Sequence, residues 1–295
     1  MKIMGLNGSS FAPLLLGFGC SVPAILSTRR IEARNDRLVT IAVLPMMSCA
    51  GRLPIYMMFV SALFPSRLQA TVLFGIYASG VLLALCCARL LKNTLFKTAQ
   101  RDSLHHMKRL RLPSLRKVGA LMWSRAFMYV RKAGTFILGA SIILWFLNTY
   151  PRPEEGTAPN AAAAMEHSYA GQIGHWMEPV TQVAGFDWKI NSALLGAFAA
   201  KEIFVTQMGI LYAVQDGDSG PAAQQTLNAR LKASYTPLQG ISIMMFCLIA
   251  LPCIGTVTVA KREAGTWWFA LAQFGGLTLL GFLTATLVYQ TGLFL

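Results

Sequence analysis

The sequence predicts an all-α polytopic membrane protein: a helical bundle with two gate-like repeats, inverted relative to each other, that contain broken or re-entrant helices. Three observations carry this expectation. First, 55% of the 295 residues are hydrophobic and 13% charged, against roughly 25% charged in a soluble domain, and the mean hydropathy is +0.50. Second, the formal net charge of +14 is concentrated: between Lys92 and Lys132 eleven Lys and Arg stand against a single acid, Asp102. A basic loop bounded by apolar spans is what the positive-inside rule places in the cytoplasm. The charge therefore points to lipid headgroups, and no RNP, helix-turn-helix or finger pattern accompanies it to suggest nucleic acid. Third, apolar segments interrupted by glycine and proline recur at matching positions of the two halves.

Residues 1–91 are expected to form the C-terminal part of the first repeat. Phe11 to Leu26 is apolar but too short to cross a bilayer comfortably, and it contains Gly17-Phe18-Gly19-Cys20-Ser21-Val22-Pro23-Ala24. Glycines make a helix cheap to unwind, and Pro23 removes a donor and disfavours helix at the residue before it. Broken backbone at membrane depth survives only where protein or a water-filled cavity covers it. A charged connector at 31–37 follows. Leu38 to Phe64 is long enough to span, but Pro45 and Pro54 interrupt it around Ser48-Cys49-Ala50-Gly51-Arg52. An intramembrane arginine is costly, so Arg52 is expected to face a polar interior. Leu68 to Leu91 is an unbroken span, in which Cys86-Cys87 have the bland reading of small apolar residues.

Residues 92–133 are the basic cytoplasmic connector, in part an amphipathic helix at the headgroups. His105-His106 fall there with no third ligand nearby. Residues 134–295 form the second repeat. Gly134 to Tyr150 is a short span, and 151–189 is an acidic loop expected outside, with an interfacial helix around Ala161 to Met177. Asn191 to Val214 is a glycine-marked segment, re-entrant from outside, with Lys201-Glu202 at its centre. Asp216 to Pro237 is expected as a polar loop. Gly240 to Ala260 is a span broken at Leu251-Pro252-Cys253-Ile254-Gly255. Lys261-Arg262-Glu263 is a basic turn, and Ala270 to Tyr289 completes the last span.

The two halves echo each other: Leu15-Leu16-Gly17-Phe18 resembles Leu194-Leu195-Gly196-Ala197-Phe198, and Leu44-Pro45-Met46-Met47-Ser48-Cys49 resembles Leu251-Pro252-Cys253. Paired interrupted segments of this kind point to a transport site. The polar residues inside them, Cys20, Cys49, Glu202 and Cys253, are the candidate metal ligands. Thiolate and carboxylate together suit a borderline divalent cation such as Fe(II) and disfavour Mg and Ca, which take all-oxygen shells. Thiols must lose a proton to bind, so affinity is expected to rise with pH. Each cysteine alone has the bland reading of a small buried residue, and Glu202 that of a structural pair with Lys201 or Arg52. A buried carboxylate in a membrane span is otherwise costly unless it is used.

All six cysteines lie in apolar runs, unlike an extracellular disulfide framework, and the N-terminus lacks the order of a cleavable signal. Nothing of the form GxSxG or HExxH occurs, so no enzyme is expected, and without a GxxxxGK[ST] the chain carries no GTP-binding loop and no nucleotide site.

The run Gly17 to Ala24, followed by Thr28-Arg29 and Arg34-Asn35-Asp36-Arg37-Leu38-Val39-Thr40, resembles the ferrous iron transport protein B family. So do Pro45 to Pro54, Ala200-Lys201-Glu202 with Leu211-Tyr212, and Leu251 to Ile254 with Glu263 and Trp267. The resemblance implies the membrane permeation portion of a GTPase-linked Fe(II) importer in the bacterial inner membrane, with Fe2+ as cargo and the lipid bilayer as its environment. It also implies a GTP-binding domain or further N-terminal membrane spans as partner, with a homo-oligomer as a further expectation. By matching position, Cys20, Cys49, Glu202 and Cys253 are the residues proposed for the iron path. The alternatives are a permease for another solute and a non-transporting membrane scaffold or remnant.

Overall fold

The computed structural model describes residues 8–94, 114–151, 165–212 and 221–294. Among these residues every regular element is a helix. In order they are α1 (Phe11–Gly17), α2 (Ser21–Ser27), α3 (Arg34–Val43), α4 (Leu53–Leu63), α5 (Ser66–Thr94), α6 (Leu115–Thr149), α7 (Tyr169–Thr181), α8 (Trp188–Ala199), α9 (Lys201–Leu211), α10 (Pro221–Ser234), α11 (Pro237–Ile249), α12 (Ile254–Ala264) and α13 (Trp267–Phe294).

By length and composition four stretches can cross a membrane: Arg34–Leu63, Ser66–Thr94, Pro237–Ala264 and Trp267–Phe294. The first and third are the interrupted ones, α3–α4 and α11–α12, and their apolar windows are 61% and 56% buried. The second and fourth are the unbroken helices α5 and α13, only 17% and 22% buried. The broken helices are thus central, and the continuous ones turn Phe74, Leu82, Leu279, Leu283 and Leu287 outward. This division has a physical basis: opened backbone needs protein around it, and an intact helix can face lipid.

The helix ends follow from local chemistry. Pro54 and Pro237 sit in the first turns of α4 and α11, where a missing N–H costs nothing. Thr236 and Gln239 form a reciprocal capping box on α11, and Asp187 caps α8 through the Ile190 N–H at 2.9 Å. Gly265, at φ 83°, ends α12 in the left-handed conformation that glycine adopts without strain.

The short segments 11–27 and 188–211 are pairs of half-helices packed on each other, α1 with α2 and α8 with α9. Packing then crosses between the halves in a reciprocal way. α2 lies on α12, and α9 lies on α4. Within each half α3 and α4 pack on α5, and α11 and α12 on α13. Phe59, Phe204 and Tyr235 form an aromatic cluster where α4, α9 and the start of α11 meet.

Three expectations are corrected. Residues 221–234 are a helix, α10, where a polar loop was expected. Ala, Gln, Arg, Leu and Lys favour helix, and Leu227 and Leu231, one turn apart, are buried, with α10 packed on α4. Lys261-Arg262-Glu263 is the last turn of α12 rather than a turn of its own, and the chain reverses at Gly265. The short span Gly134 to Tyr150 is the second part of a 35-residue helix, α6, whose apolar stretch is Leu138–Thr149. The end of the expected connector at residue 133 therefore falls inside a continuous helix. His105-His106 and Ala161 to Ala164 lie outside the described residues.

Candidate metal path at four helix breaks

Each of the four interrupted segments opens at one extended residue. Cys20 precedes α2 with φ −153° and ψ 131°, and Ala200 precedes α9 with φ −149° and ψ 134°. Cys49 precedes the 3-10 turn Ala50–Arg52 that leads into α4, with φ −75° and ψ 161°, and Cys253 precedes α12 with φ −61° and ψ 155°. Three of the four breaks therefore carry a cysteine at the residue that starts the second half-helix. The two kinds of break have near-identical backbone in the two halves. Leu251, beside the Cys253 break, is the non-glycine residue with a positive φ, 52°, among the described residues, a strained conformation that clusters at functional sites.

The breaks touch one another in a ring. The Ala50 N–H donates to Gly19 O at 3.1 Å, joining the Cys49 and Cys20 breaks. Gly51 lies so close to α9 that a Cβ there would stand 2.8 Å from Glu202 Oε1 and 3.5 Å from Lys201 Cβ. Lys201 Nζ donates to Ala250 O at 3.4 Å, reaching the Cys253 break. Gly255 faces Val22 in the first turn of α2, 3.6 Å from a notional Cβ, which closes the ring. Gly51 and Gly255 each stand two residues after a cysteine, and Glu202 and Val22 are each the second residue of their half-helix. Each half thus presents a Cys-x-Gly break to the other half's hairpin.

Within this ring the side chains differ from expectation. Glu202 was expected to be buried; it is exposed in this chain, and among the described residues it makes no ion pair with Lys201 or Arg52. The buried charges are the two cations: Arg52 is 2% and Lys201 5% exposed. Arg52 Nη1 donates to Met47 O at 3.1 Å. Both cations satisfy carbonyls left open where a first half-helix ends. Cys253 Sγ lies 3.1 Å from Thr256 Oγ1, and Cys20, Cys49 and Cys253 are all half-buried thiols. Among the described residues no three His, Cys, Asp or Glu side chains come together closely enough to hold an ion at once. The four candidates are therefore distributed around the ring rather than gathered at one point.

Away from the ring, a charged cluster that the sequence did not reveal joins the halves. Glu263, its side chain 3% exposed, takes Arg29 Nε at 2.9 Å and Arg37 Nη2 at 2.6 Å on Oε2. Its hydrogen bonds and charge hold the Arg29 guanidinium above its ordinary range. Lys92 pairs with Asp36, the neighbour of Arg37 in the chain, at 3.1 Å. Beside the start of α11, Tyr235 donates to Asp187 Oδ2 at 2.8 Å. Burial first, and the Asp187 charge next, push the Tyr235 hydroxyl far up.

Comparison with known proteins agrees with this architecture. The family described as "Nucleoside recognition", the Gate domain, matches residues 1–63 and 130–267. The family "Ferrous iron transport protein B C terminus" matches 73–125. The chain is 37% identical, over 99% of its own length and 39% of the relative's, to an Fe(2+) transport protein A/Fe(2+) transporter FeoB fusion protein of Porphyromonas gingivalis. It is 38% identical over 92% of its length and 44% of the relative's to an Fe(2+) transporter FeoB of Campylobacter jejuni. To one of Leptospira interrogans it is 34% identical over 98% and 44%. The chain thus spans less than half the length of these relatives. No solved structure matches it. On these matches, which run through every helix break, the chain belongs to the Gate family, as the C-terminal membrane portion of the ferrous iron transport protein B family.

Proposed function

We propose that this chain forms the permeation path for ferrous iron across the bacterial inner membrane, with Cys20, Cys49, Glu202 and Cys253 as the groups an ion meets in turn. The observation that carries the reading is the ring of breaks, with cysteine at three of its four extended residues and Glu202 against Gly51 at the fourth. The relatives, named as Fe(2+) transporters, support iron as the cargo. Soft thiols with one carboxylate suit Fe(II) better than Mg or Ca. A distributed set of ligands also suits passage, which needs binding strong enough to admit an ion and weak enough to release it.

The reciprocal packing of α2 on α12 and α9 on α4 supports two repeats of inverted topology, residues 1–91 and 134–295, that rock about the ring. Gating by a GTP-binding domain belongs to this proposal, since the relatives are more than twice as long as the chain. The test is Fe(II) uptake by cells expressing the chain alone and together with a GTPase-bearing partner. Uptake in either setting that falls in Cys49→Ser and Glu202→Gln variants supports the reading, and no uptake in both settings overturns it. The family description "Nucleoside recognition" favours a second reading, a permease for another solute. Uridine uptake in the absence of iron uptake would establish that one instead.

A further inference from the structure

We propose that the ring encloses an anion site: Ser48, Arg52, Tyr56 and Lys201 bind a small monovalent anion of halide size. The side chains that lead to it are buried, and Arg52 and Lys201 each have one backbone carbonyl as acceptor and no carboxylate. Arg52 Nε, Ser48 Oγ and Tyr56 Oη are each shut off from solvent, and no group outside this set offers any of them a hydrogen bond. Arg52 and Tyr56 are four residues apart on the start of α4 and so share a face one turn apart. Ser48 belongs to the break that leads into that turn, and the Tyr56 hydroxyl lies within hydrogen-bonding reach of Ser48 and electrostatic reach of Arg52. Lys201 comes in from α9, its Cβ against Gly51, its Nζ on Ala250 O and its charge within electrostatic reach of Arg52.

Every group in this set can donate, and two of them are fixed cations. α4 and α9, each of 11 residues, also begin here, and helix N-termini carry positive partial charge. Two buried cations without a carboxylate are strongly unfavourable in a low-dielectric interior. Among the described residues neither Arg52 nor Lys201 has an acidic partner. Both are covered by this chain's own atoms. A small anion would take up the donors left over and balance one of the two charges. It would sit beside the Cys49 break, where it would lower the electrostatic cost of a divalent cation. The anion site does not depend on the cargo, and its test contains no metal.

The experiment is thermal melting of the purified, metal-free chain in detergent, titrated with sodium chloride or bromide against sodium gluconate at constant ionic strength. The melting temperature is expected to rise saturably with either halide and to stay flat in gluconate. Ser48→Ala and Tyr56→Phe, which each remove one donor, are expected to raise the half-saturating halide concentration about tenfold. Arg52→Met is expected to abolish the halide dependence. Equal melting in halide and gluconate overturns the proposal whether or not any variant folds. Undiminished halide dependence in both Ser48→Ala and Tyr56→Phe overturns it as well, because the ion then binds elsewhere.

Discussion

Gly51 shows how much a single residue decides in this ring. A methyl group there would meet Glu202 Oε1 at 2.8 Å, so the glycine keeps the carboxylate against the Cys49 break. The obstructed atom is the end of a flexible side chain, which can swing aside. Gly51→Ala should therefore change stability by less than about 1 kcal/mol and yet lower Fe(II) uptake several-fold, measured at matched expression with the melting temperature as control. The residue scale is also where sequence reasoning went furthest astray. Lys201 and Glu202 are adjacent, and a carboxylate in an apolar segment looks like the group that must be buried. Helical rotation decides otherwise: consecutive residues point about 100° apart, and it is Lys201 that turns inward to Ala250 O. Arg52 was placed in a polar interior, and its contact with Met47 O agrees with that.

At the scale of elements, close approaches fix how the helices meet. Gly281 of α13 lies against the end of α11, where a Cβ would stand 2.7 Å from Ala250 Cβ and 3.0 Å from its backbone nitrogen. Here the obstacle is backbone and cannot swing away. Gly281→Ala should destabilise by about 1–3 kcal/mol and shift the carbonyl that Lys201 holds, read as a fall in both melting temperature and uptake. The α11 capping box predicts a loss of about 1 kcal/mol for Thr236→Ala, measured by thermal or denaturant unfolding. The Glu263 cluster ties α12 to the segment ahead of α3. Glu263→Gln should cost about 1 kcal/mol, the low end for a charged hydrogen bond because Arg29 is half exposed. It should also speed thiol-reagent labelling of Cys253 in membrane vesicles. Breaks and caps were legible because Pro, Gly, Thr and Asp act locally. The Arg29–Glu263 pair was not, since it joins residues 234 positions apart and only the fold brings them together. Helix α10 was missed because its polarity outweighed the spacing of Leu227 and Leu231.

For the whole molecule, composition and hydropathy were enough to give a helical membrane protein, since a bilayer admits so few backbone arrangements. The repeated interruptions marked the breaks in each half. What sequence could not supply was their closure into a ring. That depends on α2 crossing to α12 and α9 to α4, contacts between segments far apart in the chain. The interrupted segments likewise marked Cys20, Cys49, Glu202 and Cys253 as candidate ligands without showing how they lie relative to one another. The fold sets them at successive breaks of the ring, and the path proposed above rests on that arrangement. The most direct test of that path is X-ray absorption at the iron edge of the Fe(II)-loaded protein, for wild type and for Cys49→Ser with Cys253→Ser. Sulfur is expected in the first shell of wild-type iron, and less of it in the double variant, which keeps Cys20 alone of the three thiols. A first shell of oxygen and nitrogen alone in the wild type would contradict that path.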